Sequence, residues 1–98
     1  MANLRPIKFR ILELCNEDGG KWNYEIVTQI QKEYDLKGDF QRDSINFDII
    51  ELASGGLLQD IEVKVDEKGF YKKGFLLHKY NITKFGQIRA ADACLLNI

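Results

Sequence analysis

The chain has 98 residues, a length that suits one domain with room for a single modest core. It is 45% hydrophobic and 30% charged, and no run approaches the roughly 20 apolar residues of a membrane span, so a membrane-embedded protein is excluded and a soluble, cytoplasmic one expected. Fourteen basic side chains against fifteen acidic give a net charge of −1; this excludes the strongly basic field of a nonspecific nucleic-acid binder, and any such affinity has to come from local clustering of charge.

Lys8 and Arg10 interrupt the apolar run a secretory signal would need. Cys15 and Cys94 lie far apart without a CxxC pair, and His78 is the only histidine. Two scattered thiols and one imidazole do not have zinc-ligand spacing, so no metal and no cofactor are expected, and the cysteines read as reduced, partly buried hydrophobes.

The first helix is expected over residues 5–16. Pro6 suits its first turn, and Ile7, Ile11, Leu14 and Cys15 recur on one face. The cluster Asn16-Glu17-Asp18-Gly19-Gly20 stops it. Asn23 is the expected N-cap of a second helix, 24–34, with Trp22 and Val27 as a hydrophobic staple and Val27, Ile30 and Tyr34 as the buried stripe. After Lys37-Gly38-Asp39, a third helix runs over 40–54. Ile45, Ile49 and Leu52 point inward, and Gly55-Gly56 ends it.

Leu57-Leu58 leads into a strand in which Ile61, Val63 and Val65 alternate with Glu62, Lys64 and Asp66, the period of a half-buried strand. Lys68 to Gly74 forms a loop, read as a flexible tip. The returning strand carries Leu76, His78, Tyr80 and Ile82 on one face and Phe75, Leu77, Lys79 and Asn81 on the other. Thr83 can cap a last helix, 84–96, with Ile88, Ala91, Leu95 and Ile98 as its apolar stripe.

Three stretches carry a family resemblance. Ile45-x3-Ile49-x2-Leu52-x3-Gly56-Leu57-Leu58 resembles the end of a recognition helix and its turn into a wing. Tyr80-Asn81-Ile82-Thr83-Lys84-Phe85-Gly86 resembles the segment closing the wing in PadR-like and MarR-like regulators, and Tyr24-Glu25-Ile26 sits where such proteins start their second helix. Over nearly its whole length the chain resembles the winged helix-turn-helix superfamily. The resemblance implies an α+β fold over 1–98: a three-helix core, a two-stranded β-hairpin wing and a C-terminal helix. It also implies a DNA-binding transcription regulator, not an enzyme, that reads double-stranded DNA with helix 40–54 and wing 58–82. Transferred by position, the DNA-binding candidates are Gln41, Arg42, Ser44 and Asn46 on the helix and Lys68, Tyr71, Lys72 and Lys73 in the wing.

The residues themselves pull in two directions. Between Glu67 and Gly74 three lysines face one carboxylate, a local excess able to reach phosphates. From Lys37 to Ser54, however, four acidic residues outnumber two basic ones, and Phe40, Phe47 and Ile50 occupy a face that is usually polar in DNA readers. Phe40 and Phe47 are therefore expected to pack under the wing or against a partner subunit. A winged-helix protein–protein interaction module using the apolar face of helix 40–54 is the alternative function. The stripe Ile88, Ala91, Leu95 and Ile98 is expected to form a homodimer interface. Asp60 and Glu62, placed on one strand face by simple alternation, read as ordinary surface charges.

Overall fold

The computed structural model describes residues 5–17 and 19–92. The fold is α+β: α1 (Ile7–Cys15), β1 (Lys21–Trp22), α2 (Asn23–Glu33), α3 (Asp39–Ser54), β2 (Leu58–Val65), β3 (Leu76–Ile82) and α4 (Lys84–Asp92). The sheet is antiparallel, in the order β1-β3-β2. It has one strand more than the expected two-stranded hairpin.

The added strand follows from the Gly19-Gly20 turn. Both glycines take positive φ, and Lys21 and Trp22 are laid against Tyr80 and Lys79. A Cβ on Gly20 would collide with the Tyr80 carbonyl oxygen, so only glycine permits this approach. A two-residue strand has no alternation to read, and sequence periodicity does not register it.

α1 contributes Ile11, Leu12, Leu14 and Cys15 to the core; α2 contributes Ile26, Val27 and Ile30, and α3 contributes Ile45, Ile49 and Leu52. Leu58, Tyr80 and Ile82 close it from the base of the sheet. Burial pushes the Cys15 thiol up to about 12, leaving it an inert packing group. Arg10 of α1 clamps α2 by a two-pronged contact to Glu33, Nε to Oε1 at 2.7 Å and Nη2 to Oε2 at 2.8 Å. The guanidinium holds the Glu33 carboxyl down at about 2.

Asn23 is not a cap. It is the first residue of α2 and is buried, while the Trp22 N–H donates to Glu25 Oε1 at 3.0 Å to fasten the helix start. The Asn23 side chain instead joins three elements: its Nδ2 donates to Asn46 Oδ1 at 3.2 Å, and its Oδ1 accepts from the His78 N–H at 3.2 Å. A buried amide with both ends satisfied ties α2 to α3 and β3.

α3 ends as expected. The Leu57 N–H donates to the Leu52 carbonyl and the Gly56 N–H to the Ala53 carbonyl, the paired bonds of a Schellman stop. Thr83 caps α4 as expected: its Oγ1 accepts from the Gly86 N–H at 2.9 Å and donates to the Gly56 carbonyl at 2.6 Å. Gly86 and Ala90 face inward on α4, and a Cβ on Gly86 would run into the Leu57 carbonyl oxygen. Ile88 is exposed and Ala91 half-buried: the side of α4 turned to the core carries Gly86 and Ala90, not the described part of the expected apolar stripe. Cys94, Leu95, Ile98 and the expected extension of this helix to residue 96 lie outside the described residues.

The hairpin departs most from expectation. Beyond Leu58, every residue of β2 is exposed, including Ile61, Val63 and Val65. The alternation is real, but the outer half of β2 projects past the three-helix core and its side chains stay exposed, while Leu77 on the neighbouring β3 is buried. A register shift between Asp60 and Glu62 sets Asp60 opposite Tyr80 and Glu62 opposite Lys79. The extra residue sends the two carboxylates to opposite faces instead of one.

Candidate functional site

Two features face each other across a groove: the exposed side of α3 and the hairpin with its tip. The groove encloses about 640 Å³, with Ile50, Ala53 and Asn46 on the helix side and Leu76, His78 and Tyr80 on the sheet side. Asp60 Oδ1 lies 3.1 Å from His78 Nδ1 at its edge. Among the described residues no three His, Cys, Asp or Glu side chains gather to hold a metal.

The tip is a built turn, and its organiser is Asp66. This side chain is completely buried, and its carboxylate accepts four backbone N–H bonds of 2.8 Å each: Gly69 and Phe70 on Oδ1, Tyr71 and Lys72 on Oδ2. Consecutive amides curled around one anion form a nest. Desolvation pushes this carboxyl up, but the four N–H donors together outweigh it and hold it below the usual aspartate value. The Gly74 N–H donating to the Asp66 carbonyl and the Asp66 N–H donating to the Phe75 carbonyl close the loop. Asp66 reads from sequence as the polar partner of an alternating strand; the available signal is an aspartate three residues before a glycine at a loop entrance.

With the tip organised, Tyr71 reaches α3. Its hydroxyl donates to Asp43 Oδ1 at 2.6 Å, and the Arg42 guanidinium lies 4.8 Å from the centre of its ring. Burial and the Asp43 contact push the Tyr71 phenol up to about 12. Arg42 is further held by Asp43 at 3.0 Å, by Asp39 at 3.5 Å and by the Tyr71 carbonyl at 3.4 Å. The same two neighbours, Tyr71 first and then Arg42, hold the Asp43 carboxyl below its ordinary value.

The eight expected DNA-contacting residues therefore separate into three groups. Arg42, Tyr71 and Asn46 are brought together with partners inside the molecule: Arg42 and Tyr71 bridge helix to tip, and Asn46 bonds Asn23. Gln41 is half-buried and Ser44 exposed on α3. Lys68, Lys72 and Lys73 stand exposed on the tip, and none of them forms an ion pair among the described residues. Lys64 and Lys79, which sequence reading does not single out, are likewise without a carboxylate partner and rest over the Trp22 ring, at 4.5 and 5.8 Å from its centre.

Phe40 and Phe47 do not pack under the wing. They are 82% and 59% exposed, and Ile50 is exposed beside them. The hairpin meets α3 through Tyr71 at the helix's first turns, which leaves Phe47 uncovered and Ile50 on the open groove. No family model, curated protein or solved structure matches the chain.

Proposed function

We propose that this chain is a winged-helix protein that binds double-stranded DNA, a cytoplasmic transcription regulator, with the hairpin tip as its leading contact and α3 in a supporting role. The helix–strand–helix–helix–strand–strand–helix order, with β3 central in the sheet, supports the winged-helix reading. The observation that carries the functional reading is the distribution of available cations. All five lysines of the hairpin, Lys64, Lys68, Lys72, Lys73 and Lys79, are free of ion pairs among the described residues, whereas Arg42, the only basic residue of α3, is occupied by Asp39, Asp43 and Tyr71. A lysine without a carboxylate partner gives up no internal pairing when it meets a phosphate.

The test is the salt dependence of duplex binding. Replacing Lys68, Lys72 and Lys73 together with alanine is expected to reduce the log–log salt slope by up to about three units, near 0.9 for each phosphate no longer neutralised, and to weaken all sequences similarly. An unchanged slope removes the tip from the interface. A homodimer through the side of α4 that carries Ile88 would present two tips to one duplex. Sedimentation equilibrium at micromolar concentration reads that directly, and a monomer there rejects it.

A second reading has its own observation. Phe40, Phe47 and Ile50 form an exposed apolar face on an acidic helix, a surface suited to a protein partner. Absence of duplex binding even at low salt would favour this interaction module.

A further inference from the structure

The groove accounts for one face of the sheet. Leu76, His78 and Tyr80 point toward α3, so by alternation Leu77 and Lys79 point to the opposite face. Register places Lys64 opposite Leu77, and both Trp22 and Glu62 opposite Lys79, all on that second face. It carries a line of aromatic and cationic side chains. Lys79 and Lys64 flank Trp22, and next to Lys64 the rings of Phe70 and Tyr24 stack at 4.8 Å, tilted by only 13°. A cleft of about 300 Å³ opens among Tyr24, Lys64, Lys68 and Phe70, with buried Leu77 beneath it.

We infer that this second face binds single-stranded nucleic acid, with bases stacking on Trp22 and Phe70 and the backbone phosphates meeting Lys64 and Lys79. Three physical points carry the assignment. First, two ammonium groups converge on the half-buried Trp22 indole and neither forms an ion pair among the described residues, so cation–π contact is what holds them there. A phosphate offers each a stronger partner and frees the ring for a base. Second, Phe70 is backed by Tyr24 and remains 52% exposed, so its ring is pre-oriented with its outer side available. Third, stacking platforms need the flat faces of bases, which a duplex hides and a single strand offers. The carboxylates near this face are Glu62, Glu67 and Glu25. Glu25 is engaged by the Trp22 N–H, whereas Glu62, opposite Lys79, and Glu67, at the rim of the cleft, form no ion pair among the described residues.

Lys68 rims the cleft and is also one of the tip lysines tested for duplex binding, but the inference rests on Trp22, Phe70, Lys64 and Lys79, so the two readings fail separately. Trp22 is the chain's only tryptophan, so its fluorescence reports directly on the face in question. The probe is a fifteen-nucleotide oligothymidylate titrated into the intact protein at low salt, with a duplex of equal length and polyglutamate titrated in parallel. Saturable quenching of Trp22 by the single strand is expected, stronger than by the duplex and absent with polyglutamate. Lys64→Ala with Lys79→Ala should reduce the salt slope by up to about 1.4, near 0.7 per phosphate on a single strand. Phe70→Ala should weaken binding roughly tenfold, the scale of one stacked base. Lys72→Ala with Lys73→Ala should leave the quenching curve in place. The inference is overturned if the single strand does not bind, if it binds without changing Trp22 emission, if polyglutamate quenches equally, or if only the tip variants weaken it. Circular dichroism of each variant separates loss of binding from loss of fold.

Discussion

α3 and the β2–β3 hairpin handle charge in opposite ways. α3 has four carboxylates and one cation, and it consumes the cation internally: Arg42 is surrounded by Asp39, Asp43 and the Tyr71 ring. The hairpin does the reverse. It buries one carboxylate, Asp66, against four backbone N–H groups and leaves five lysines unpaired among the described residues. A net charge of −1 therefore hides an uneven distribution: the one cation of α3 is held by that helix's own carboxylates, whereas five of the nine lysines and arginines without an ion pair among the described residues lie on the hairpin. What matters for recognition is which charges remain without an internal partner, and that differs from the count.

Three perturbations probe the contrast. The largest effect is expected from Asp66→Ala, which strips the acceptor from the amides of Gly69, Phe70, Tyr71 and Lys72. Amide hydrogen exchange at these four positions should accelerate at least about tenfold, the scale of one charge-assisted hydrogen bond, while core amides of α2 stay protected. In the wild-type chain the same protection has a pH signature. The folded carboxyl lies below its ordinary value of 3.8, so its stabilisation is fully present above that pH and disappears as pH falls through the lower folded value. Protection of the tip that fades near neutrality would contradict the Asp66 nest.

Arg42→Ala is a sharper and smaller test. The cation is already paired, so its removal should leave the duplex salt slope unchanged and reduce stability by up to about 1 kcal/mol in chemical denaturation. A slope that fell by about 0.9 would show Arg42 leaving its carboxylates for DNA and would erase the distinction between helix and hairpin. The smallest effect belongs to Phe47→Ala. With its ring 59% exposed, the substitution should change stability by no more than about 0.5 kcal/mol, against the roughly 3 kcal/mol of a buried aromatic truncation. A large destabilisation would mean that α3 is covered in solution, by a second copy of the chain or by the hairpin in another position.

The elements that local chemistry specifies are legible in the sequence. Ile45, Ile49 and Leu52 recur at helical spacing and are buried, the Gly55-Gly56 stop forms the bonds expected of it, and Thr83 caps the helix it precedes. Each depends on residues within one or two turns of one another. The candidate site is legible only in composition: the tip lysines stand out as an excess, but nothing in their spacing tells whether a carboxylate elsewhere neutralises them.

Asn23 and Asp66 mark where local reading ends. Asparagine before a helix is a good cap in isolation, and here it is a buried bridge because Asn46 and the His78 N–H arrive from residues 23 and 55 positions away. Aspartate in an alternating strand is a surface residue in isolation, and here it is fully buried because the chain folds four amides around it. The alternation of Ile61, Val63 and Val65 identifies a strand correctly and its burial wrongly, since period says which residues share a face and only the arrangement of other elements says whether that face is covered. The sequence by itself thus determined the helices, their stops and the hairpin, whose causes are short-range backbone preference and side-chain spacing. Tertiary structure decided the third strand, the covered faces and the charges left available, because each depends on groups that meet only when distant segments pack.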